Sequence, residues 1–278
     1  MFQADLLHDK RILITGGGTG LGKSMGRRFL ALGARLAICG RRAEVLAETK
    51  AEFDADFGDR TAVYPCDIRD AGAVDGMIGA IWADQGGLDI LVNNAAGNFV
   101  ARTETLSPRA VDAVLAVVLH GAAYVTLACG KRWIAEQRPA TVLSILATYA
   151  ETGSAYVVPS AMSKAGVLAM TRSLAAEWGA KGIRLNAIAP GPFPTPGAWQ
   201  RLVPNARIEE AWRQRIPLGR FGEHEELTDL AAFLVSDRAG FINGESVTID
   251  GGEWLKGAGQ FSLLDDLSEE EWIEMRNR

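Results

Sequence analysis

The chain is poor in the residues that bind metals or staple small folds. It holds three cysteines, Cys39, Cys66 and Cys129, and three histidines, His8, His120 and His224, among 278 residues. No two cysteines stand in CxxC spacing, and the histidines show no metal-ligand spacing. A disulfide scaffold and a metal site are therefore not expected. The thiols read as small buried side chains of a protein kept in a reducing compartment. Basic excess is also missing. Against 29 Lys and Arg stand 34 Asp and Glu, a net charge of -5, which argues against nucleic acid as a partner.

Long apolar runs are scarce as well. The first ten residues, MFQADLLHDK, lack an apolar core of export-signal length, and the chain ends RNR rather than in a peroxisomal tripeptide. A cytoplasmic protein is the expectation. One uncharged stretch, 113–130, approaches the length of a membrane span. It contains His120, Tyr124, Thr126 and two glycines, and it reads as a long helix buried in a core or subunit interface, with His120 packed.

What the chain does contain is alternation. Short runs rich in β-branched residues, at 11–15, 35–39, 61–64, 88–92, 141–146, 183–188 and 246–249, are separated by helical patterns. This predicts an α/β protein: a single Rossmann-type, doubly wound parallel sheet of about seven strands with helices on both faces. One domain spanning 1–278 is expected, with a short acidic helical tail from about 259. Ser268 and Glu271 stand at capping-box spacing before the last helix. In such sheets the ligand lies beyond the carboxyl ends of the strands, at a topological switch point.

The first strand runs into Thr15–Gly22, TGGGTGLG. Gly16 permits the tight turn, and Gly20 and Gly22 allow close approach of a pyrophosphate and of the sheet. Free N–H groups of the following helix face the phosphates. Gly16, Gly18, Thr19, Gly20, Leu21 and Gly22 are thus candidate cofactor residues. The second strand ends Cys39-Gly40-Arg41-Arg42, where an NAD site usually carries an acid. A guanidinium there suits a 2′-phosphate, so NADPH/NADP+ is the expected cofactor, with Arg41 ahead of Arg42.

Cys66-Asp67-Ile68, Asn93-Asn94-Ala95-Ala96-Gly97 and Pro190-Gly191-Pro192 follow the third, fourth and sixth strands. With the glycine loop they resemble the short-chain dehydrogenase/reductase family over nearly the whole chain. The resemblance implies Asp67 and Ile68 at the adenine. It sets Asn93, Ala95 and Gly97 beside the cofactor and Pro190, Gly191, Pro192 and Phe193 near the nicotinamide. It also implies a homo-oligomer, usually a tetramer or dimer, and a homotetramer is the expectation. Ordinary members reduce carbonyls with a Ser, a Tyr and a Lys, the last two spaced YxxxK. Lys164 is present here, but Ser160 stands in place of the Tyr and Ala147 in place of the Ser.

The segments TYAETGS, VVPSAMSKAG, SLAAEWG, NNAAGNF and RIPLGR resemble the 2,4-dienoyl-CoA reductase branch. That resemblance implies hydride delivery to the far end of a dienoyl thioester and a trans-3-enoyl-CoA product. It assigns Tyr149 and Asn98 as donors to the thioester oxygen and Lys164 to the ribose. Ser160 would help position the reacting groups. Arg69 and Arg201 would meet the CoA phosphates, and Phe99 and Ser107 would line the acyl-CoA passage. Where that branch often has lysines after the sixth strand, this chain has Pro194 and Pro196. His120 replaces the asparagine that most relatives carry. Two other readings stand beside this one. The protein could reduce another enoyl or 3-oxoacyl thioester with Tyr149 as acid, or it could bind NADP without catalysis.

Overall fold

In the computed structural model, residues 3–277 are described. Seven parallel strands form one sheet in the order β3-β2-β1-β4-β5-β6-β7. They are β1 (Arg11–Thr15), β2 (Arg35–Gly40), β3 (Thr61–Pro65), β4 (Ile90–Asn93), β5 (Ala140–Ile145), β6 (Ile183–Pro190) and β7 (Ser246–Ile249). Both faces are covered, so the central strands are apolar throughout rather than alternating. Neighbouring positions of β1 serve opposite layers. Ile12 and Ile14 face α1 (Gly20–Ala31) and α2 (Ala43–Phe57) through Met25, Phe29 and Phe53. Leu13 faces α3 (Ala71–Gln85) through Val74, Ile78 and Ile81.

Pro108 opens a long helix after the Ser107 cap, whose hydroxyl accepts from Ala110 N–H at 3.2 Å. The sequence predicts one unbroken helix here. The structure divides it into α4 (Pro108–Leu115), a π-helical turn over Ala116–His120, and α5 (Gly121–Ala135). Among the described residues this is one helix long and apolar enough to cross a membrane, Pro108–Ala135, with half of its apolar window buried. It belongs to a layer of the fold: Val125, Cys129 and Trp133 pack on the sheet, and Trp133 Nε1 donates to the Leu88 carbonyl at 2.8 Å. His120 is not packed as expected but exposed, because the widened turn leaves it on the outer side, with Tyr124 one turn on at 6.1 Å between ring centroids.

After β5 comes α6 (Tyr149–Thr152), then α7 (Val158–Trp178), which lies on the same side as α3 and α5. After β6 come α8 (Pro196–Leu202) and α9 (Ala206–Arg215). Next is α10 (His224–Val235), which packs with α1 on the opposite face. After β7 comes α11 (Glu253–Ala258), and the tail beyond it carries α12 (Glu269–Arg276), opened by the expected Ser268–Glu271 capping box. At the amino ends of the strands, Arg11 grips Asp89 with two bonds of 2.9 and 3.0 Å. The carboxyl ends are left for the candidate site.

Candidate active site

Strand order reverses between β1 and β4, and the glycine loop leaves β1 at that point. Gly16 and Gly20 have φ of +67° and +54°, which L side chains rarely adopt. Gly22 is required for space instead: a Cβ there would lie 2.5 Å from Asn94 Nδ2 and 2.6 Å from the Gly16 carbonyl oxygen. Thr19 is the N-cap of α1, yet its side chain caps nothing, and no acidic residue stands in the first turn. The helix therefore offers uncapped N–H groups and positive dipole to an anion.

The second asparagine of the NN pair holds this loop. Asn94 Nδ2 donates to the Thr15 carbonyl at 3.0 Å, and the backbone N–H groups of Asn94 and Ala95 donate to Thr15 Oγ1 at 3.0 Å. Asn93, expected beside the cofactor, turns its side chain inward, where Nδ2 donates to Thr126 Oγ1 at 2.8 Å. Ile68, expected at the adenine, is also buried, its side chain packed against Gly121. Gly97 is exposed, and a Cβ there would touch nothing within 4 Å.

Arg41 and Arg42 are both exposed past the end of β2. Asp67 is held below the usual carboxylate range, chiefly by the Arg69 guanidinium, with Arg41 contributing at longer reach. Two expected site residues thus meet each other: Arg69 Nε donates to Asp67 Oδ1 at 2.9 Å. An open glycine cradle, an uncapped helix start and nearby guanidinium groups suit a dinucleotide with a 2′-phosphate.

Three elements bring the other candidate residues together. The short turn of α6, invisible in the sequence reading, sets Tyr149 just beyond β5. Tyr149 Oη lies 3.1 Å from Ser160 Oγ on α7 and accepts a long bond of 3.5 Å from Asn98 Nδ2. Asn98 Oδ1 is occupied by the Phe99 N–H at 2.9 Å. This fixes the amide orientation and leaves its NH2 as the donor side. Burial raises the Tyr149 phenol above its ordinary value, partly offset by the Ser160 bond. One helical turn beyond Ser160, Lys164 is buried and donates to the Ile145 carbonyl. Desolvation lowers its ammonium to about 8.

Pro190 closes β6, where Gly191 N–H donates to the Ile249 carbonyl at 2.9 Å. Pro192 is buried, and the Phe193 ring occupies the space a Cβ of Gly222 would need. Phe99 is part-buried and Ser107 exposed. The Arg201 side chain lies outside the described residues. The sequence reading missed the anchoring roles of Thr15 and Asn94, although the doubled asparagine was in view. The three thiols are free and buried, and burial pushes Cys39 up to about 12, far from reactivity.

Residues 16–253 match the family described as enoyl-(acyl carrier protein) reductase. A Bacillus subtilis protein named probable 2,4-dienoyl-CoA reductase, (2E)-enoyl-CoA-producing, is 43% identical over 250 residues, covering 90% of this chain and 98% of its own. A Caenorhabditis elegans protein named probable 2,4-dienoyl-CoA reductase 3, (3E)-enoyl-CoA-producing, is 42% identical over 276 residues, covering 98% and 89%. The crystal structure of a gluconate 5-dehydrogenase from Burkholderia cenocepacia, in complex with NADP and tartrate, superposes with a TM-score of 0.84. Its sequence is 31% identical, with 91% of this chain and 98% of that one covered.

Proposed function

Because the chain belongs to the short-chain dehydrogenase/reductase family, in the group described as enoyl-(acyl carrier protein) reductases, we propose that it is a single-domain, NADPH-dependent 2,4-dienoyl-CoA reductase. The observation that carries this reading is the donor pair beside a buried lysine. Tyr149 Oη and Asn98 Nδ2 converge, Ser160 replaces the usual phenol, and Lys164 is retained. An aliphatic hydroxyl at 160 is a poor acid for carbonyl reduction. Two neutral donors aimed at one oxygen are what a developing thioester enolate needs.

In this reading the glycine loop and the start of α1 hold the pyrophosphate, and Arg41, aided by Arg42, holds the 2′-phosphate. Asp67 and the Ile68 backbone border the adenine. Asn93 to Gly97 and Pro190 to Phe193 flank the nicotinamide, and Lys164 holds its ribose. The bound cofactor supplies a hydride to the distal carbon of the conjugated diene. Tyr149 and Asn98 stabilise the charge that builds on the thioester oxygen. Ser160 keeps the Tyr149 hydroxyl oriented. Arg69 and Arg201 meet CoA phosphates, and Phe99 and Ser107 line the passage.

The names of the two relatives divide over the product, and the chemistry explains how. Protonation of the dienolate at the carbon next to the thioester gives a 3E-enoyl product, and protonation two carbons further gives a 2E product. A solvent water placed by Ser160 supplies the proton, its hydroxide being neutralised by bulk solvent, and with the donors gathered at the thioester oxygen it reaches the nearer carbon and gives the 3E product. The protein works as a cytoplasmic homotetramer, a reading supported by its free buried thiols and by the Pro108–Ala135 helix, half of whose apolar window is not buried within the chain.

The test mixes the protein, NADPH and a short 2,4-dienoyl-CoA and follows loss of reduced nicotinamide absorbance, with acetoacetyl-CoA in parallel and NMR of the product. Turnover of the dienoyl substrate alone, yielding the 3E isomer, is expected. Turnover of the oxoacyl substrate alone would make Tyr149 a displaced acid for carbonyls. Tight NADPH binding with no turnover of either would make the protein a non-catalytic binder.

A further inference from the structure

We propose that His224 is a positioning residue that ties the glycine loop to the loop leaving β6, so that both close together on the cofactor. The proposal rests on the NADP(H) reading above. His224 is the first residue of α10, and its backbone is fixed by the capping box between Glu223 and Glu226. Its ring spans two distant segments. Nε2 lies 2.9 Å from the Pro194 carbonyl oxygen, and Nδ1 lies 2.7 Å from Ser24 Oγ on α1. A carbonyl can only accept, so Nε2 carries the proton and donates; in the neutral ring Nδ1 then accepts from the Ser24 hydroxyl. That bond spends the one proton of the Ser24 hydroxyl, which would otherwise donate to the Gly20 carbonyl at 3.2 Å, so the tie reaches the glycine loop through α1 itself, whose first residue is Gly20. The link thus runs α1, Ser24, His224, Pro194.

The loop leaving β6 needs such an outside donor. Prolines at 190, 192, 194 and 196 leave N–H groups only on Gly191, Phe193 and Thr195, so the segment cannot hold itself by local hydrogen bonds. Its alternate carbonyls are held by the approach to α10: Gly222 N–H donates to Pro192 O at 3.1 Å, and the His224 ring donates to Pro194 O. The next residue, Thr195, lies over the glycine loop, where a Cβ on Gly20 would meet its Cγ2 at 3.5 Å. Thr195 is also the N-cap of α8. Releasing Pro194 would therefore free the root of α8 and loosen the Thr195 contact over Gly20.

The test compares His224→Phe, which keeps a ring but removes both nitrogens, with His224→Gln, whose amide can reach the Pro194 carbonyl. For His224→Phe the NADPH Kd and dissociation rate, read by nucleotide fluorescence, are expected to rise about tenfold, in keeping with two lost neutral hydrogen bonds. The NADPH KM should rise more than kcat falls, and His224→Gln should recover most of the affinity. Hydrogen exchange on the ligand-free protein is read alongside, and the Gly222 and Trp199 amides, which donate to the Pro192 and Thr195 carbonyls, should exchange faster in His224→Phe. Faster exchange with no NADPH binding even in the wild type would uphold the tie and overturn the cofactor reading. Unchanged exchange, or unchanged NADPH release in a folded variant, would overturn the tie itself.

Discussion

Replacing Tyr149 by Phe removes one hydroxyl and little else. The ring volume stays, α6 stays, and Asn98 keeps its orientation through the Phe99 N–H. Burial holds the phenol in its neutral form well past neutrality, so the lost group is a hydrogen-bond donor and no charge is lost with it. One donor to a developing oxyanion contributes about 3 kcal/mol, or roughly a hundredfold in kcat. The partner donor, Asn98, remains, so activity should fall and not vanish. Folding should suffer by about 1 kcal/mol at most, since the Ser160 contact is between neutral groups. Steady-state NADPH oxidation with a dienoyl-CoA, analysed for kcat and KM separately, reads the effect. The loss belongs in kcat, because the charge exists only near the transition state. Ser160→Ala leaves the Tyr149 hydroxyl in place and should cost several-fold less. A folded Tyr149→Phe protein with kcat within twofold of wild type would remove the phenol from the mechanism.

Arg41→Ala should weaken NADPH binding by about 10- to 100-fold, the range of a charge-assisted hydrogen bond, and leave NADH binding nearly unchanged; equal losses for both, measured by calorimetry, would deny Arg41 the 2′-phosphate. Gly22→Ala should destabilise the fold by about 1–3 kcal/mol, because its Cβ meets Asn94 and the Gly16 carbonyl at 2.5 and 2.6 Å; an unshifted urea midpoint would contradict this. Lys164 supplies a pH test. Its ammonium is lowered to about 8 in the fold against 10.5 when free. Below the lower value both states hold the proton, and the fold carries the full cost of burying the charge. Between the two values the unfolded chain binds the extra proton, so stability from this residue rises with pH. The stability of Lys164→Met relative to wild type should therefore decline from pH 7 to pH 10, by about 3 kcal/mol at the upper limit. Denaturation midpoints at both pH values decide it, and a constant difference would refute it.

The strands were legible because the runs 11–15 and 246–249 are dense in β-branched residues and bounded by turns, and both occur where expected. The glycine loop was legible for a local reason: its conformational needs are written in consecutive residues. Other features are not local. α6 spans four residues, too few for a periodic signal. Asn94 meets Thr15 across 79 positions, and Ser24 meets His224 across 200; nothing in either neighbourhood announces its partner. Asn93 and Ile68 show that a motif does not tell where its side chains turn. Each sits in a segment that lies near the site, yet its own side chain is spent on packing or on Thr126.

The π turn at Ala116–His120 bears on which length changes this gene could tolerate. A helix advances about 100° per residue, and a π turn accommodates one residue more than the regular spiral does. Deleting one residue within that turn would restore an ordinary helix and leave α4 and the Ser107 cap on nearly their present bearing relative to α5. Trp133 and Cys129 would keep their places on the sheet. A deletion elsewhere in α4 or α5 would instead turn the upstream half by about 100°. Among descendants of this sequence, a length change in this helix should fall within 116–120 and leave the rest of it untouched.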